Sequence, residues 1–474
     1  LDSRIKDFTS TRGAPAERIC GQADVPRGGG RFLLGKRIHK DAKGAGYMDI
    51  LVVGGGGREH AICASLARSQ RAGKIYCAPG NAGIAQVAEC VNIGVFDFDA
   101  LTAFALEKNI GLAVIGPDDP LAGGIVDAFE AKNIPVFGPR KNAAEIEGSK
   151  AFMKHLLKKY NIPTAAYETF DDYEAALAYL RRQGAPIVVK TDGLAAGKGV
   201  TVAQTLEEAE KALHDAMVSG SFGAAGSTVV IEEFMTGEEM SILAFVDGET
   251  VRAMPAAQDH KPVFDGDKGP NTGGMGTYSP LPHIDPAIIE RAIEEIVKPT
   301  AKALVSEGRP FTGVLFAGLM IEPDGTPRTV EFNARFGDPE TQVVLPRLKS
   351  DLLEIFLAAV NGTLADVEIQ WSDEAAVCVV LASEGYPASY PKGRVITGIA
   401  EAEARGDAFV FHAGTARSEA GELVTAGGRV LGVVGRGAGI AEARDAAYKA
   451  ADLVAFEGAH KRSDIAAKAL TPRG

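Results

Sequence analysis

The chain has 474 residues, 46% of them hydrophobic and 24% charged. That is the balance of a globular protein of about three domains, whose core needs no disulfide or metal staple. A formal charge of -12 argues against a general nucleic-acid or membrane-surface role, and five scattered cysteines without a C-x-x-C pair argue against a disulfide framework or zinc site.

The first 47 residues hold ten Lys/Arg against five Asp/Glu, with Gly28, Gly29 and Gly30 and no periodicity. A transit peptide would carry more serines than Ser3 and Ser10, and fewer acids. Residues 1–47 are therefore expected to be an upstream or vector-derived leader outside the fold. From Met48 the pattern is βαβα. Residues 50–53 form an apolar strand that ends in Gly54 to Gly57, a helix is expected at about 59–69, and further strands at 74–78, 112–115 and 135–137. Apolar strands alternating with helices predict a parallel sheet covered on both faces over residues 48–148.

Residues 149–370 change character. A helix at 151–160 leads into Pro163. A small subdomain, a flap at about 165–235, then carries strands 187–190 and 199–202 joined by a glycine loop. Long paired strands follow, with hairpin turns at Asp247-Gly248 and Pro323-Asp324-Gly325, so this part reads as α+β. Residues 371–474 repeat short strands at 376–382, 408–412 and 429–434, closed by a helix at about 440–456, and read as a small α+β domain. No apolar run approaches the roughly 18 residues of a membrane-spanning helix.

Five segments carry chemistry. A strand predicted at 327–333 alternates faces, which puts Glu331 and Asn333 on one side and Phe332 on the other. A carboxylate and an amide oxygen side by side suit Mg²⁺, and Arg335 just beyond can pin a phosphoryl or carboxylate group. The alternative is a solvated strand face with Arg335 paired to Asp338. Lys190 ends an apolar strand and opens a loop through Gly193, Gly197, Lys198 and Gly199, suited to phosphates or to a plain hairpin. It is not a Walker A loop, because Gly193 and Gly197 are four apart and a strand follows. The apolar strand at 228–235 ends in two acids and a bulky pair, Glu232, Glu233, Phe234 and Met235. It reads as an ordinary strand end or as an edge that meets adenine through its backbone and a ribose through a carboxylate. Residues 259–276 form a long glycine-rich loop containing Asp259, His260, Lys261 and Asn271. Loops of that length are more often functional than decorative, and His260 reads as structural. Finally, Gly54 to Gly57 lead into a helix N-terminus, which suits one phosphate monoester or a tight packing turn. The second strand ends without the acid of a dinucleotide site.

In this order, the segments at 54–60, 78–83, 190–200, 269–276 and 331–340 resemble the glycinamide ribonucleotide synthetase (phosphoribosylamine–glycine ligase) family of the ATP-grasp superfamily. The resemblance covers about residues 48 to 465. It implies an N-terminal parallel α/β domain on the sugar-phosphate side, a central ATP-grasp domain with its flap, and a C-terminal α+β domain. The implied reaction joins glycine to 5-phosphoribosylamine through glycyl phosphate, giving glycinamide ribonucleotide, ADP and phosphate in the second step of de novo purine synthesis. By the same resemblance, Glu331 and Asn333 would hold Mg²⁺ or Mn²⁺. Lys150 and Lys190 would touch ATP phosphates under the loop of Gly197, Lys198 and Gly199. Glu232, Glu233, Phe234 and Met235 would line adenine, and Glu239 would face the ribose. Arg335, Asp259 and Asn271 would orient glycine and its acyl phosphate, while Gly55, Gly56, Gly57 and Asn81 would cradle the sugar phosphate.

Many ATP-grasp enzymes carry another acid on the strand before the metal strand. Here residues 316–321 have none until Glu322, as fits the glycinamide subgroup. The family's animal members are fused to further enzymes, whereas this chain reads as the single-function form, a cytoplasmic monomer with no nucleic-acid or membrane partner. Two rivals remain at this point. One is an ATP-grasp carboxylase of purine synthesis, which the 269–276 loop disfavours. The other is a nucleotide-binding regulator without turnover.

Overall fold

The computed structural model describes residues 39–40, 46–194, 199–221 and 223–471. Gly197 and Lys198 lie outside the described residues. The N-terminal strand begins at Gly46, and His39–Lys40, within the segment expected to lie outside the fold, pairs antiparallel with its first two residues.

Strand Gly46–Gly54 is the centre of a parallel sheet. Ala72–Pro79 and then Glu89–Cys90 lie on one side of it, and Leu112–Ile115 and then Val136–Phe137 on the other. Its residues Ile50 to Val53 are wholly buried, as a strand covered on both faces requires. Strand order reverses beside Gly46–Gly54, so a crevice opens at its carboxyl end, where Gly54 to Gly57 turn into helix Gly57–Leu66.

Helix Lys150–Lys159 leads into a separate antiparallel sheet ordered Tyr167–Phe170, Val229–Glu233, Ile187–Thr191, Val200–Ala203. One face of that sheet, with Ile187, Val189, Val229 and Ile231, packs on helices Tyr173–Gln183 and Leu206–Met217. The other face carries Lys190 and Glu232. A second antiparallel sheet runs Thr250–Ala253, Glu238–Asp247, Thr312–Ile321, Pro327–Asn333.

The last sheet joins two stretches of sequence that read as separate. Strands Gln258–Asp259 and Gly276–Ser279, from the central stretch, extend the sheet of Ala375–Ser383, Arg429–Gly437 and Ala408–His412. The hairpin of Pro262–Phe264 and Lys268–Asn271 projects between the two central-stretch strands. Buried Arg462 clamps that hairpin, donating to the Pro262 carbonyl at 3.0 Å and to Asp267 at 2.9 Å, while Asp464 holds Arg462 at 2.7 Å and accepts the Gly266 N–H at 2.8 Å. Among the described residues, no helix is long and apolar enough to cross a membrane.

Candidate functional site

Glu331 and Asn333 lie at the end of strand Pro327–Asn333, whose neighbour Phe332 is buried in the core on the opposite side. Pairing skips Val330: Thr329 lies opposite Leu319 and Glu331 opposite Gly318. The bulge frees the Val330 carbonyl to accept from Lys190 Nζ at 3.1 Å. Register then places Ser241, Gly318 and Glu331 in one row across the sheet, and Glu239 on the same face two residues along.

Four cations surround Glu331. Lys261 Nζ lies 3.4 Å from Oε1. Lys261 above all, with Lys190, Arg335 and Lys150, overcomes burial and holds the Glu331 carboxyl down at about 2. In return Glu331 raises the Lys261 ammonium well above its ordinary value. A carboxylate that is always ionised and an amide oxygen on the same strand face are hard donors of the kind Mg²⁺ takes. Among the described residues, no three His, Cys, Asp or Glu side chains group to hold a metal ion. Glu322, the acid at the end of the neighbouring strand, bonds Arg328 at 2.9 Å instead.

Arg335 does not pair with Asp338. Its NH2 lies 2.8 Å from Glu147 Oε1 and 3.8 Å from Asp118, and donates to Asn333 Oδ1 at 3.0 Å. Its Nε is buried without a protein partner. Asp338 instead accepts from Gln342 at 2.8 Å and lies 3.4 Å from Arg429. Burial would raise its carboxyl, but Arg429 and Arg58 hold it below its ordinary value.

Lys190 and Glu232 share a face because Lys190 lies opposite Val230, which puts Glu232 diagonally across the two strands. Glu232 is 2% exposed and bridges two lysines, Lys190 at 2.9 Å and Lys154 at 2.9 Å. The Glu232 carboxylate is thus engaged by lysines, and its backbone lies within a strand paired on both sides, opposite Tyr167 and Val188. Glu233 is exposed, bonds Arg328 and accepts the Ala166 N–H at 2.9 Å. Phe234 and Met235 follow the strand, and their backbone groups join no hydrogen bond among the described residues. Polar backbone without internal partners, beside buried Met235, is an edge that a flat heterocycle can meet. Lys150 Nζ donates to the Gly193 carbonyl at 2.8 Å, and Asp192 accepts from Ala151 N–H at 3.1 Å. Buried Gly199 closes the loop's far side, its carbonyl accepting the Thr191 N–H at 2.8 Å.

Asp259 is half-buried. Burial pushes its carboxyl up to about 8; Lys261 opposes this, and Glu340, Glu239 and Glu331 add to it. Asn271 is exposed at the end of its hairpin strand, so the structure leaves it apart from the buried acids. His260 is buried, its Nε2 accepting the Ala466 N–H at 3.4 Å. Three residues with no role in the sequence reading belong to this group: Lys261, Lys154 and Glu147. Lys261 was legible by alternation, lying two residues past Asp259 on an extended segment. Lys154 and Glu147 sit within helices and gave no local signal.

The glycine turn is filled by the protein itself. A Cβ on Gly55 would stand 2.6 Å from the Gly80 carbonyl oxygen, and one on Gly57 2.6 Å from Gln342 Nε2. The Gly56 N–H donates to Glu59 Oε2 at 2.6 Å, and Asp338 accepts the Arg58 N–H. Packing therefore accounts for these glycines, and two carboxylates already satisfy amides at the helix N-terminus. Asn81 is likewise engaged within the protein. Its amide nitrogen donates to the Gly55 and His412 carbonyls at 2.9 and 2.8 Å, and its oxygen accepts from Gly83 and Ile84 at 2.9 Å each. It ties the turn to strand Ala408–His412 and has little capacity left for a sugar phosphate.

That junction titrates. His60 Nδ1 accepts the His412 N–H at 2.9 Å. Burial, and then His412, lower His60 to about 3; burial, and then Arg417, lower His412 to about 4. Both values lie below the unfolded 6.5, so the stability they lend is complete above pH 6.5 and is lost as pH falls toward 4 and 3. Thermal melts should show the midpoint dropping through that window. His60→Asn, which keeps an acceptor but cannot charge, should flatten the drop; an unchanged slope would remove His60 from the account.

Sequence and structure comparisons place these segments among known proteins. Residues 48–147 match the description "Phosphoribosylglycinamide synthetase, N domain", residues 148–341 its ATP-grasp (A) domain, and residues 376–468 its C domain. The chain is 53% identical over 426 residues to the phosphoribosylamine–glycine ligase of Halalkalibacterium halodurans, covering 90% of this chain and 98% of that protein. The crystal structure of phosphoribosylamine–glycine ligase from Thermotoga maritima is similar with a TM-score of 0.78 at 35% identity, over 88% of this chain and 100% of that one. The biotin carboxylase domain of Hydrogenobacter thermophilus 2-oxoglutarate carboxylase, at 16% identity and a TM-score of 0.66 over 87% of this chain and 91% of that one, shares the fold.

Proposed function

The chain belongs to the phosphoribosylglycinamide synthetase family, and from that premise we propose how its residues carry out the ligation. The reaction is that of a phosphoribosylamine–glycine ligase in purine biosynthesis. ATP transfers its γ-phosphoryl group to the glycine carboxylate, and the amine of 5-phosphoribosylamine displaces phosphate from the acyl phosphate. The products are glycinamide ribonucleotide, ADP and phosphate. The observation that carries the assignment of roles is the convergence of Glu331, Lys261, Lys190, Lys150 and Arg335 on one strand end.

Glu331 and Asn333 would hold Mg²⁺ or Mn²⁺, which when bound would supply positive charge against the triphosphate. Lys190, aimed by Glu232 and the Val330 carbonyl, meets the phosphates beside Lys150. The backbone of Phe234 and Met235, just past the paired residues Glu232 and Glu233, takes the adenine edge, and Glu239 faces the ribose. Arg335 offers its unpartnered Nε to the glycine carboxylate and then to the acyl phosphate. Asp259, whose electrostatic neighbours include Lys261 and Glu331, would orient the glycine amino group as a hydrogen-bond acceptor. Asn271 and its hairpin cover glycine, which keeps water from the acyl phosphate. Gly55, Gly56 and Gly57 shape the sugar-phosphate side, with Asn81 fixing the turn.

ADP release with phosphoribosylamine, Mg²⁺ and a panel of acceptors tests the substrate. Glycine is expected to exceed alanine and bicarbonate by at least about tenfold, the scale of one methyl group in a fitted site. Equal release with alanine or bicarbonate would overturn it.

A further inference from the structure

We infer that Glu147 is a positioning residue for the anion clamp: one carboxylate fixes both the guanidinium of Arg335 and the main chain that carries it. Glu147 Oε1 lies 2.8 Å from Arg335 NH2, and Oε2 accepts the Ala334 N–H at 2.7 Å. The side chain is 7% exposed. Local structure does not favour an acid here. Glu147 sits in the last turn of helix Lys141–Gly148, where the helix dipole opposes negative charge. Its carboxyl is pushed up to about 7, by burial and then by Asp118, against the pull of Arg335, the Ala334 N–H and Arg58; Lys150 also lies within range.

What offsets that cost is the pair of contacts to residues 334 and 335. With NH2 held by Glu147 and Asn333, and NH1 donating to the Phe336 carbonyl at 3.3 Å, the guanidinium has one fixed setting. The nitrogen left over is Nε, buried and without a protein partner. A buried donor without a protein partner marks where an acceptor from outside the protein docks. Glu147 thereby connects the helix before Ser149 and Lys150 to the strand end that carries Glu331 and Asn333.

The inference rests on the proposed role of Arg335, so the experiment separates the two. Glu147→Gln, Glu147→Asp, Arg335→Gln and the Glu147→Gln/Arg335→Gln double variant are compared, varying glycine at saturating ATP and ATP at saturating glycine. Glu147→Gln should raise the KM for glycine about tenfold, the scale seen for groups that orient a ligand-binding side chain, and leave the KM for ATP within about twofold. Glu147→Asp should recover part of the loss. The double variant should bind glycine no worse than Arg335→Gln alone, since the carboxylate acts through the arginine. Wild-type glycine KM in Glu147→Gln, equal rises for glycine and ATP, or additive losses in the double variant would each overturn the role of Glu147. Wild-type glycine kinetics in Arg335→Gln would overturn the reading of Arg335 itself.

Discussion

Glu331→Ala should lose kcat by roughly a thousandfold or more, the scale of removing a group that stabilises the transferring charge, while the protein stays folded. Lys261, Lys190, Arg335 and Lys150 all act on this carboxylate, and those cations keep it ionised down to about pH 2. Its removal takes away a hard oxygen ligand and leaves the cations to repel one another. Folding should tolerate the loss. The side chain is 38% exposed and its ion pair with Lys261 is 3.4 Å long, a weak contribution at that exposure and distance. Glu331→Gln keeps an oxygen but not the charge and should fall almost as far. ADP release and a thermal melt on the same samples decide it. Turnover near the wild-type rate in both variants would remove Glu331 from the metal site.

Glu232→Ala should have the largest effect on stability, about 3–5 kcal/mol, the cost of stripping the partner from buried charge. Lys154 is 0% and Lys190 5% exposed at the side chain, and each lies 2.9 Å from the carboxylate. Even with Glu232 present, burial lowers Lys154 to about 8 from an unfolded 10.5. The unfolded chain thus holds the proton more tightly between those values, and the burden on the fold is complete below pH 8 and relieved as pH rises toward 10.5. Without Glu232 that window should extend to lower pH, so the variant should regain stability on mild alkalinisation. Urea unfolding at pH 7 and pH 9.5 reads this directly. A loss below about 1 kcal/mol at pH 7, the scale of an exposed pair, would show that the triad is not the buried support described. Lys190 should also lose its aim, raising the KM for ATP.

Much of this architecture can be read from local pattern. The predicted strand 327–333 occupies those residues, with Phe332 inward and Glu331 and Asn333 together, although the bulge at Val330 interrupts the alternation before them. Lys190 at the end of an apolar run is buried, as its neighbours imply. The remainder depends on partners distant in sequence. Arg335 turns to Glu147, 188 residues earlier, rather than to nearby Asp338. The family resemblance points to Asn81 as a sugar-phosphate ligand, while its amide also bonds strand Ala408–His412, more than 300 residues away. Glu232 looked like an adenine contact because it ends a strand, and only the pairing of two strands shows it spent on lysines. Side-chain periodicity reports which way a residue faces, not what has been packed in front of it.

The sheet shared between Gly276–Ser279 and Ala375–Ser383 has a consequence in time. During synthesis, Gly276–Ser279 emerges roughly 95 residues before the strand that pairs with it. At about 5–20 residues per second, one edge stays open for on the order of 5–20 seconds. Through that interval only Gln258–Asp259 holds it, and an open edge invites wrong pairing with other chains. The sheet of Glu238–Asp247, Thr312–Ile321 and Pro327–Asn333 needs nothing beyond residue 333 and can close first. Glu331 is then in place before the segment that delivers Lys261 is anchored, so their ion pair is among the last contacts the nascent chain secures.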